Sequence, residues 1–460
     1  MTDFDAEVKK ILSDQKIFFQ SGTPLDIKFR RDALTRLFDK IEEMRSEIHA
    51  ALYSDLRKSE FEAIETETSG VFEEIIYMRK RVKKWAKPKR VGVHLNNMPA
   101  KGRIYPEPYG SALIFSAWNY PFQLALSPVV AAMAAGNCVV LKPAAQAPAT
   151  AEVIKKLLDA CFEPEYIATV IDGHGKAEML LQNKFDYILY TGGPNIGRKV
   201  MLAAAENLTP VTLELGGKSP CVVAEDADLK ITAKRLAWGK FLNAGQTCLS
   251  PDYLLIHEKI EAALLEEMEE VIKQFYGENP QQSPDYPRII NEHHFDRLAK
   301  LLENQEIFCG GRTDREDLYI EPTILAETDP ESEIMQQEIF GPVLPVITWT
   351  NFDEVIDFIN AREKPLGMYY FSKAKRDLDT LIQKTSAGGV SVNDTITHFI
   401  NASMPFGGVG ESGIGAYHGK YGFDTFSHFK PVMVKPTFID VPMRYPPFAK
   451  KLKWLRKLCK

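Results

Sequence analysis

The sequence has no Asp, Glu, Lys or Arg between Glu107 and Lys142, no C-x-x-C pair, no surplus of positive charge and no internal repeat. The charge-free run has the hydropathy of a membrane span. Asn119, Pro121, Gln123, Pro128 and Asn137 interrupt it too often for lipid, where every backbone polar group needs an internal partner. It is expected to be buried core. The six cysteines, Cys138, Cys161, Cys221, Cys248, Cys309 and Cys459, are scattered, and no signal peptide is read at the start. Reduced thiols in a cytoplasmic setting follow, with neither a disulfide framework nor a metal site. A net charge of −6 gives no overall field to draw in nucleic acid or membrane. The basic run "RKRVKKWAKPKR" (79–90) therefore reads as a solvated helix end rather than a nucleic-acid patch.

What is present is a chain of 460 residues, 45% hydrophobic and 26% charged, the balance of a globular protein too long for one ordinary core. From Ile27 to Leu52 apolar residues recur every three or four positions, which predicts one amphipathic helix, and a second is expected over 60–84. "KRVGVHL" and "KGRIYPEP" flank the turn residues "NNMPA" and predict a protruding hairpin. Short apolar runs then alternate with helical stretches: "SALIFSA", "NCVVLKP", "YIATVID" and "YILYTGG" in one series, "PCVVAED", "YLLIH", "PVLPVITW", "MYYFS" and "GVSVND" in another. That alternation means βαβ units, an α/β fold with parallel sheets covered on both faces, and ligands at the carboxyl ends of the strands. The division between the two series is expected near Thr209-Pro210.

Five places can carry chemistry. "TGGPNIG" (191–197) closes a strand and opens a helix whose free amides suit a phosphate; strand-to-helix turns are glycine-rich in any case. Lys142 in "LKPA" ends another strand and points either into the crevice, toward ribose or phosphate, or simply to solvent. Glu214 in "LELGGKSP" lies in apolar surroundings that raise a carboxyl pKa and suit a general base. Asn119 in "SAWNYPF" offers an amide to a developing oxyanion, or caps a turn. Cys248 in "FLNAGQTCLSPDYLL" is either a small core hydrophobe or a reactive thiol; the small and polar residues before it set it apart from the strand cysteines Cys138 and Cys221.

Together, "SAWNYPF", "TLELGGKSP", "GQTC", "EIFGPVLPV" and "MPFGGVGESGIGAYHGKYGFDTFSH" resemble the NAD(P)-dependent aldehyde dehydrogenases, in order and over nearly the whole chain. "YTGG", "PDYLL", "REKPL" and "AYHGK" look most like the class 3 group. The resemblance implies a Rossmann-type parallel-sheet cofactor domain (1–85 and 105–210), an α/β catalytic domain (211–400) and a small β oligomerisation element (86–104 and 401–445), followed by a basic tail (446–460). It implies Cys248 as nucleophile, Asn119 with the Cys248 N–H as oxyanion donors, and Glu214 as activator of the hydrolytic water. Glu338 would hold the nicotinamide ribose, with the division of base duty between Glu214 and Glu338 left open. Cofactor contacts are expected from Trp118, Lys142, Gly192, Gly193, Gly197 and Glu338, and substrate contacts from Tyr120, Trp238 and Phe406.

Two departures bear on the cofactor. Relatives often carry a ribose-binding glutamate where this chain has Ala145, so NADP is expected to be accepted, alone or alongside NAD. Pro194 and Asn195 depart from the usual pyrophosphate turn. The expected reaction is oxidation of medium- or long-chain aliphatic or aromatic aldehydes to acids through a cysteine thiohemiacetal and thioester. Two alternatives are an acylating enzyme that delivers the acyl group to coenzyme A and a non-catalytic binding or structural protein. A lone hairpin cannot hold a sheet in water, which points to a homodimer. In "FAKKLKWLRKLCK", Phe448, Leu452, Leu455 and Leu458 form a stripe among basic residues, suited to weak contact with a membrane surface or to packing on a neighbour.

Overall fold

The charge-free run goes to the centre of the molecule. In the computed structural model, which describes residues 3–94, 97–171, 176–440 and 442–458, every residue of the helix Gln123–Ala135 is buried. Among the described residues no helix is long and apolar enough to cross a membrane. Asn137, one of the polar interruptions, is satisfied by protein: its Oδ1 accepts from the Gly110 N–H at 3.0 Å, and its Nδ2 donates to the Phe426 carbonyl at 2.9 Å. The helix stops at Gly136, where φ is +102° and a Cβ would collide with the Arg30 guanidinium. Only glycine meets both conditions.

An N-terminal sheet of six strands runs in the order Gly413–Ile414, Val211–Glu214, Tyr187–Thr191, Ser111–Phe115, Cys138–Lys142, Ile167–Thr169. All neighbours are parallel except the two-residue Gly413–Ile414 edge. The strand order reverses between Ser111–Phe115 and Tyr187–Thr191, and the crevice outside their carboxyl ends is where such sheets take ligands. A C-terminal sheet, fully parallel, has the order Val346–Trp349, Tyr253–His257, Pro220–Val223, Gly367–Phe371, Gly389–Val392. Central strands of both sheets are buried throughout, which is why they read as unbroken apolar runs rather than alternating ones.

The structure revises four expectations. The stripe from Ile27 to Leu52 is carried by two helices, Ile27–Glu43 and Arg45–Leu56. The break at Met44 has no Pro or Gly to announce it, and Leu34, Leu37, Ile41, Ile48 and Leu52 stay buried across it, so the periodicity ran through. The second helix arrives as Glu60–Ala63 and Ser69–Trp85 joined by a π-helical turn at Ile64–Thr68. The sheets change over after Glu214, not at 209–210, because Val211–Glu214 pairs with Tyr187–Thr191. Within 401–445, Gly413–Ile414 extends the N-terminal sheet, and only Ser427–Val434 joins the hairpin.

That hairpin pairs Lys89–Val91 with Lys101–Pro108, and Ser427–Val434 adds a third strand from the same chain. The lone-hairpin argument for a partner subunit therefore falls, although the outer strand leaves Phe429, Met433 and Val434 exposed. Hairpin residues Leu95 and Asn96, Asp172 of "YIATVID", and Cys459 of the tail lie outside the described residues.

Candidate active site

A cleft of about 760 Å³ opens between the two sheets. Its wall on one side is built from the carboxyl ends of the N-terminal strands, which deliver Ser116–Tyr120, Lys142 and Ala144–Gln146, Thr191–Gly193, and Glu214–Gly216. The other side comes from the C-terminal half: Cys248 and Leu249, His294, Arg297, Glu338, Phe340, Phe399 and Phe406.

Cys248 follows a turn of unusual conformation. Asn243, Ala244 and Gly245 have φ of +53°, +50° and +71°, a left-handed run that L-residues adopt only when their surroundings impose it. Side chains do so here. Gln246 Nε2 donates to the Arg288 carbonyl at 3.0 Å and its Oε1 accepts from the Ile290 N–H at 3.0 Å. Asn243 Nδ2 donates to the carbonyls of Asn119 at 2.8 Å and Gln246 at 3.1 Å. Asn119 Nδ2 donates to the Gln246 carbonyl at 3.0 Å, two residues before the thiol. An amide NH2 carries two hydrogens, so Asn119 keeps a second to offer. Tyr120 Oη shares a hydrogen bond of 2.6 Å with Thr247 Oγ1, the residue next to Cys248.

Cys248 is half-buried on the cleft wall, whereas Cys138 and Cys221 are sealed within strands as expected. Burial pushes the Cys248 thiol up, the Glu338 and Glu214 charges add to this, and the N–H groups of Cys248 and Leu249 pull it back. Two carboxyls therefore flank the sulfur. Glu214 is buried, and among the described residues neither of its oxygens has a hydrogen-bond partner; burial alone holds its carboxyl far above the usual range. Glu338 is raised to about 8 by burial and then by Asp252, against the Gly217 N–H, Lys218 and Arg297. It lies over Gly216, where a Cβ would collide with its carboxylate. The loop that bears Glu338 is clamped by Lys218, which donates to the carbonyls of Ile334 and Gln337 at 2.9 Å each.

At the strand ends, Gly193 caps the helix Pro194–Glu206 with Pro194 at its first position. A Cβ at Gly193 would meet nothing within 4 Å, so the helix start is open to a close anion. Lys142 stands half-buried at the end of its strand. No carboxylate occupies Ala144–Gln146. These features fit a dinucleotide with or without a 2′-phosphate.

The chain matches the aldehyde dehydrogenase family model over residues 4–432. It belongs to that family. It is 44% identical over 449 residues to a protein of Staphylococcus aureus named 4,4'-diaponeurosporen-aldehyde dehydrogenase, covering 97% of this chain and 98% of that one. It is 42% identical to the dimeric NADP-preferring aldehyde dehydrogenase of Canis lupus familiaris, covering 97% and 99%. A solved structure titled as the substrate-bound state of Staphylococcus aureus AldH superposes with a TM-score of 0.96 at 43% identity, covering 98% of this chain and 99% of that one. Its likeness is to the class 3 group, with family 3 member A2 enzymes among its relatives. The aldehyde dehydrogenase reaction is the oxidation of an aldehyde to a carboxylic acid with NAD and/or NADP as hydride acceptor, and this chain is an enzyme of that type.

Within this aldehyde dehydrogenase the cleft gathers Cys248, Glu214, Asn119, Trp118, Tyr120, Lys142, Gly192, Gly193, Glu338 and Phe406. Gly197 does not line it. Gly197 is buried in its helix, where a Cβ would press on Leu215, so it serves close helix-to-strand packing. Trp238 also lies outside the lining; half-buried, it packs against the cluster of Leu249, Leu366, Ile396, Phe406 and Tyr417. The sequence reading missed His294 and Phe340, whose rings pack on Trp118 at centroid distances of 4.8 and 5.2 Å. It also missed Phe399, which stacks edge-on to Phe406 at 4.8 Å and to His418 at 4.7 Å. "NEHHF" and "THFI" look like ordinary helix segments, and nothing local marks them.

Proposed function

We propose that Cys248 is the nucleophile, Asn119 and the Cys248 N–H the oxyanion donors, and Glu214 the base for hydrolysis. The observation that carries this reading is the convergence of the three in one cleft, with the Asn119 amide bonded to the turn that presents the thiol. The Cys248 sulfur, as thiolate, forms a bond to the aldehyde carbon while the carbonyl oxygen takes up negative charge. That charge is met by preset amides, which lose nothing to reorganisation. Collapse of the oxyanion expels hydride and leaves a thioester on Cys248. A bound nicotinamide cofactor supplies the hydride acceptor. Glu214 then takes a proton from water as its oxygen attacks the thioester; the C–S bond breaks and the acid leaves. Glu214 suits this duty because it lines the cleft and, among the described residues, neither of its oxygens has a hydrogen-bond partner, whereas Glu338, beside Gly216 and Gly217, suits a cofactor contact.

The substrate class that suits the lining is a medium- or long-chain aliphatic or aromatic aldehyde, given Tyr120, Leu124, Leu249, Phe399 and Phe406 along the cleft. The name of the Staphylococcus aureus relative agrees with an apolar aldehyde. With Ala145 in place of a carboxylate, NADP is accepted alongside NAD. The exposed face carrying Phe429, Met433 and Val434 supports a homodimer, as does the name of the dimeric relative. Free cysteines suit a cytoplasmic enzyme, and exposed Phe448, Leu452 and Leu455 beside lysines suit weak contact of the tail with an anionic membrane surface.

The test is an initial-rate panel of aldehydes with NAD and with NADP, alongside Cys248→Ser. Apolar aldehydes are expected to give NAD(P)H and free acid, with near-complete loss in the variant. Acyl-CoA as the product, or substantial turnover by Cys248→Ser, overturns the assignment.

A further inference from the structure

Behind the cleft, on the side away from solvent, lies a cluster of charge that the reaction does not touch. Lys58 and Glu67 are 1% and 0% exposed, and Lys58 Nζ sits 2.7 Å from Glu67 Oε1. Glu62, also buried, belongs to the same stretch of chain. Its sequence, "KSEFEAIETET" (58–68), has the look of a solvated helix. The π-helical turn at Ile64–Thr68 changes that by rewinding the helix as it enters the core.

Each partner of this cluster belongs to one of the two segments that make the oxyanion site. Lys58 Nζ donates to the Asn119 carbonyl at 3.2 Å and stands 4.0 Å from the centre of the Tyr120 ring. Glu67 Oε2 accepts from the N–H groups of Phe122 at 3.1 Å and Gln123 at 2.9 Å. Glu62 Oε1 accepts from the Asn243 N–H at 3.0 Å, the first residue of the left-handed run before Cys248. Residues 116–121 lie between a strand and a helix, tied to them by the Ser116 N–H on the Lys142 carbonyl and the Leu124 N–H on the Tyr120 carbonyl, and the cluster adds its bonds between those two points. Asn243 reaches the same Asn119 carbonyl from the other segment, so Lys58 and the nucleophile turn meet on one oxygen.

A buried ion pair is a poor source of stability, because desolvating two charges offsets their attraction and apolar residues of similar size do as well or better. Its value lies in geometry. We propose that Lys58, held by Glu67, is a positioning residue for the oxyanion site: it anchors the Asn119 carbonyl and the Tyr120 ring, and together with Glu62 on Asn243 it sets the Asn119 amide against Cys248. This rests on the assignment of Asn119 and Cys248 above. Misplacing a catalytic group by 1 Å costs on the order of 100-fold in rate.

The decisive variant is Lys58→Met combined with Glu67→Gln. It removes the Lys58–Glu67 pair together, so neither of the two is left buried without the other, and glutamine still accepts from Phe122 and Gln123. Rates are measured per titrated Cys248 thiol, for aldehyde oxidation and for ester hydrolysis, which needs the oxyanion site but no hydride transfer. The expected result is a kcat lower by about 10- to 100-fold in both reactions, smaller than the roughly 100- to 1,000-fold cost of deleting an oxyanion donor. NAD(P)+ affinity should stay within about twofold, since the cluster's bonds go to Asn119, Phe122, Gln123 and Asn243 rather than to the glycines at the strand ends. In an Asn119→Ala background the double substitution should have little further effect. Asn243→Ala, which removes the other donor to the Asn119 carbonyl and leaves Lys58 intact, should show the same loss and the same dependence on Asn119. A lower melting temperature with unchanged kcat per thiol would overturn the proposal. So would a full loss that persists in the Asn119→Ala background. An Asn119→Ala enzyme of normal activity would instead overturn the parent assignment.

Discussion

The two halves of the cleft are built by opposite means. The turn before Cys248 is densely bonded: Gln246, Asn243 and Asn119 are tied into one another and into Arg288, Ile290 and Glu62, over a backbone run with three consecutive positive φ values. At the strand ends of the N-terminal sheet the backbone is open, with empty space over Gly193 and the start of the helix Pro194–Glu206 free to approach. The difference follows from what each half must do. A covalent step needs atoms held to fractions of an ångström, whereas a large anionic ligand needs room and unengaged N–H groups.

Four experiments sharpen or break that contrast. Glu214→Gln should lower the steady-state rate by about 100- to 10,000-fold, the usual contribution of a general base. A stoichiometric burst of NAD(P)H should survive, because only thioester hydrolysis is lost; loss of the burst as well would move Glu214 out of the hydrolytic role. Asn119→Ala should cost about 100- to 1,000-fold in kcat, with ester hydrolysis falling in parallel. On the open side, Gly193→Ala should fold normally, its φ of −73° and empty surroundings being acceptable to alanine. Its Kd for NAD(P)+ should rise by about tenfold, worth ~1.4 kcal/mol, with kcat at saturation kept; an equal fall in kcat would mean that the rim is as tightly specified as the nucleophile side.

The smallest effect is on stability. Burial first of all raises the carboxyls of Glu62 and Glu74 to about 7 and of Glu338 to about 8. In the folded protein each keeps its proton over a range where the unfolded chain, titrating near 4.5, has lost it. The folded state therefore binds more protons between about pH 4.5 and 8, and stability falls as pH rises through that window. The melting temperature of the cofactor-free protein should drop between pH 5.5 and 8.5, and Glu338→Gln should make that slope shallower. An unchanged slope would show that Glu338 is ionised throughout.

Much of this was legible in the chain. Strands such as Tyr187–Thr191 and Tyr253–His257 are continuous apolar runs between helical stretches, and their burial on both faces leaves no alternative pattern. Cys248, Asn119, Glu214, Lys142 and the glycines after Thr191 could be singled out because each sits at a strand end or turn, where local sequence and chemistry coincide. The break at Met44 could not, since both helices bury the same stripe. Trp238 and Gly197 were expected to touch ligand and do not line the cleft; Gly197 serves helix packing against Leu215 instead.

By itself the sequence determined the α/β class, the parallel sheets, the family and the residues able to react. Tertiary structure alone decided that Ser427–Val434 completes the hairpin sheet and Gly413–Ile414 the edge of the N-terminal one. It alone brought Phe399 and His294 to the cleft and set Lys58 on the Asn119 carbonyl behind it. Local pattern reports the period of burial along one element. Which distant carbonyl a buried lysine will find depends on how the elements pack, and no window along the chain contains that.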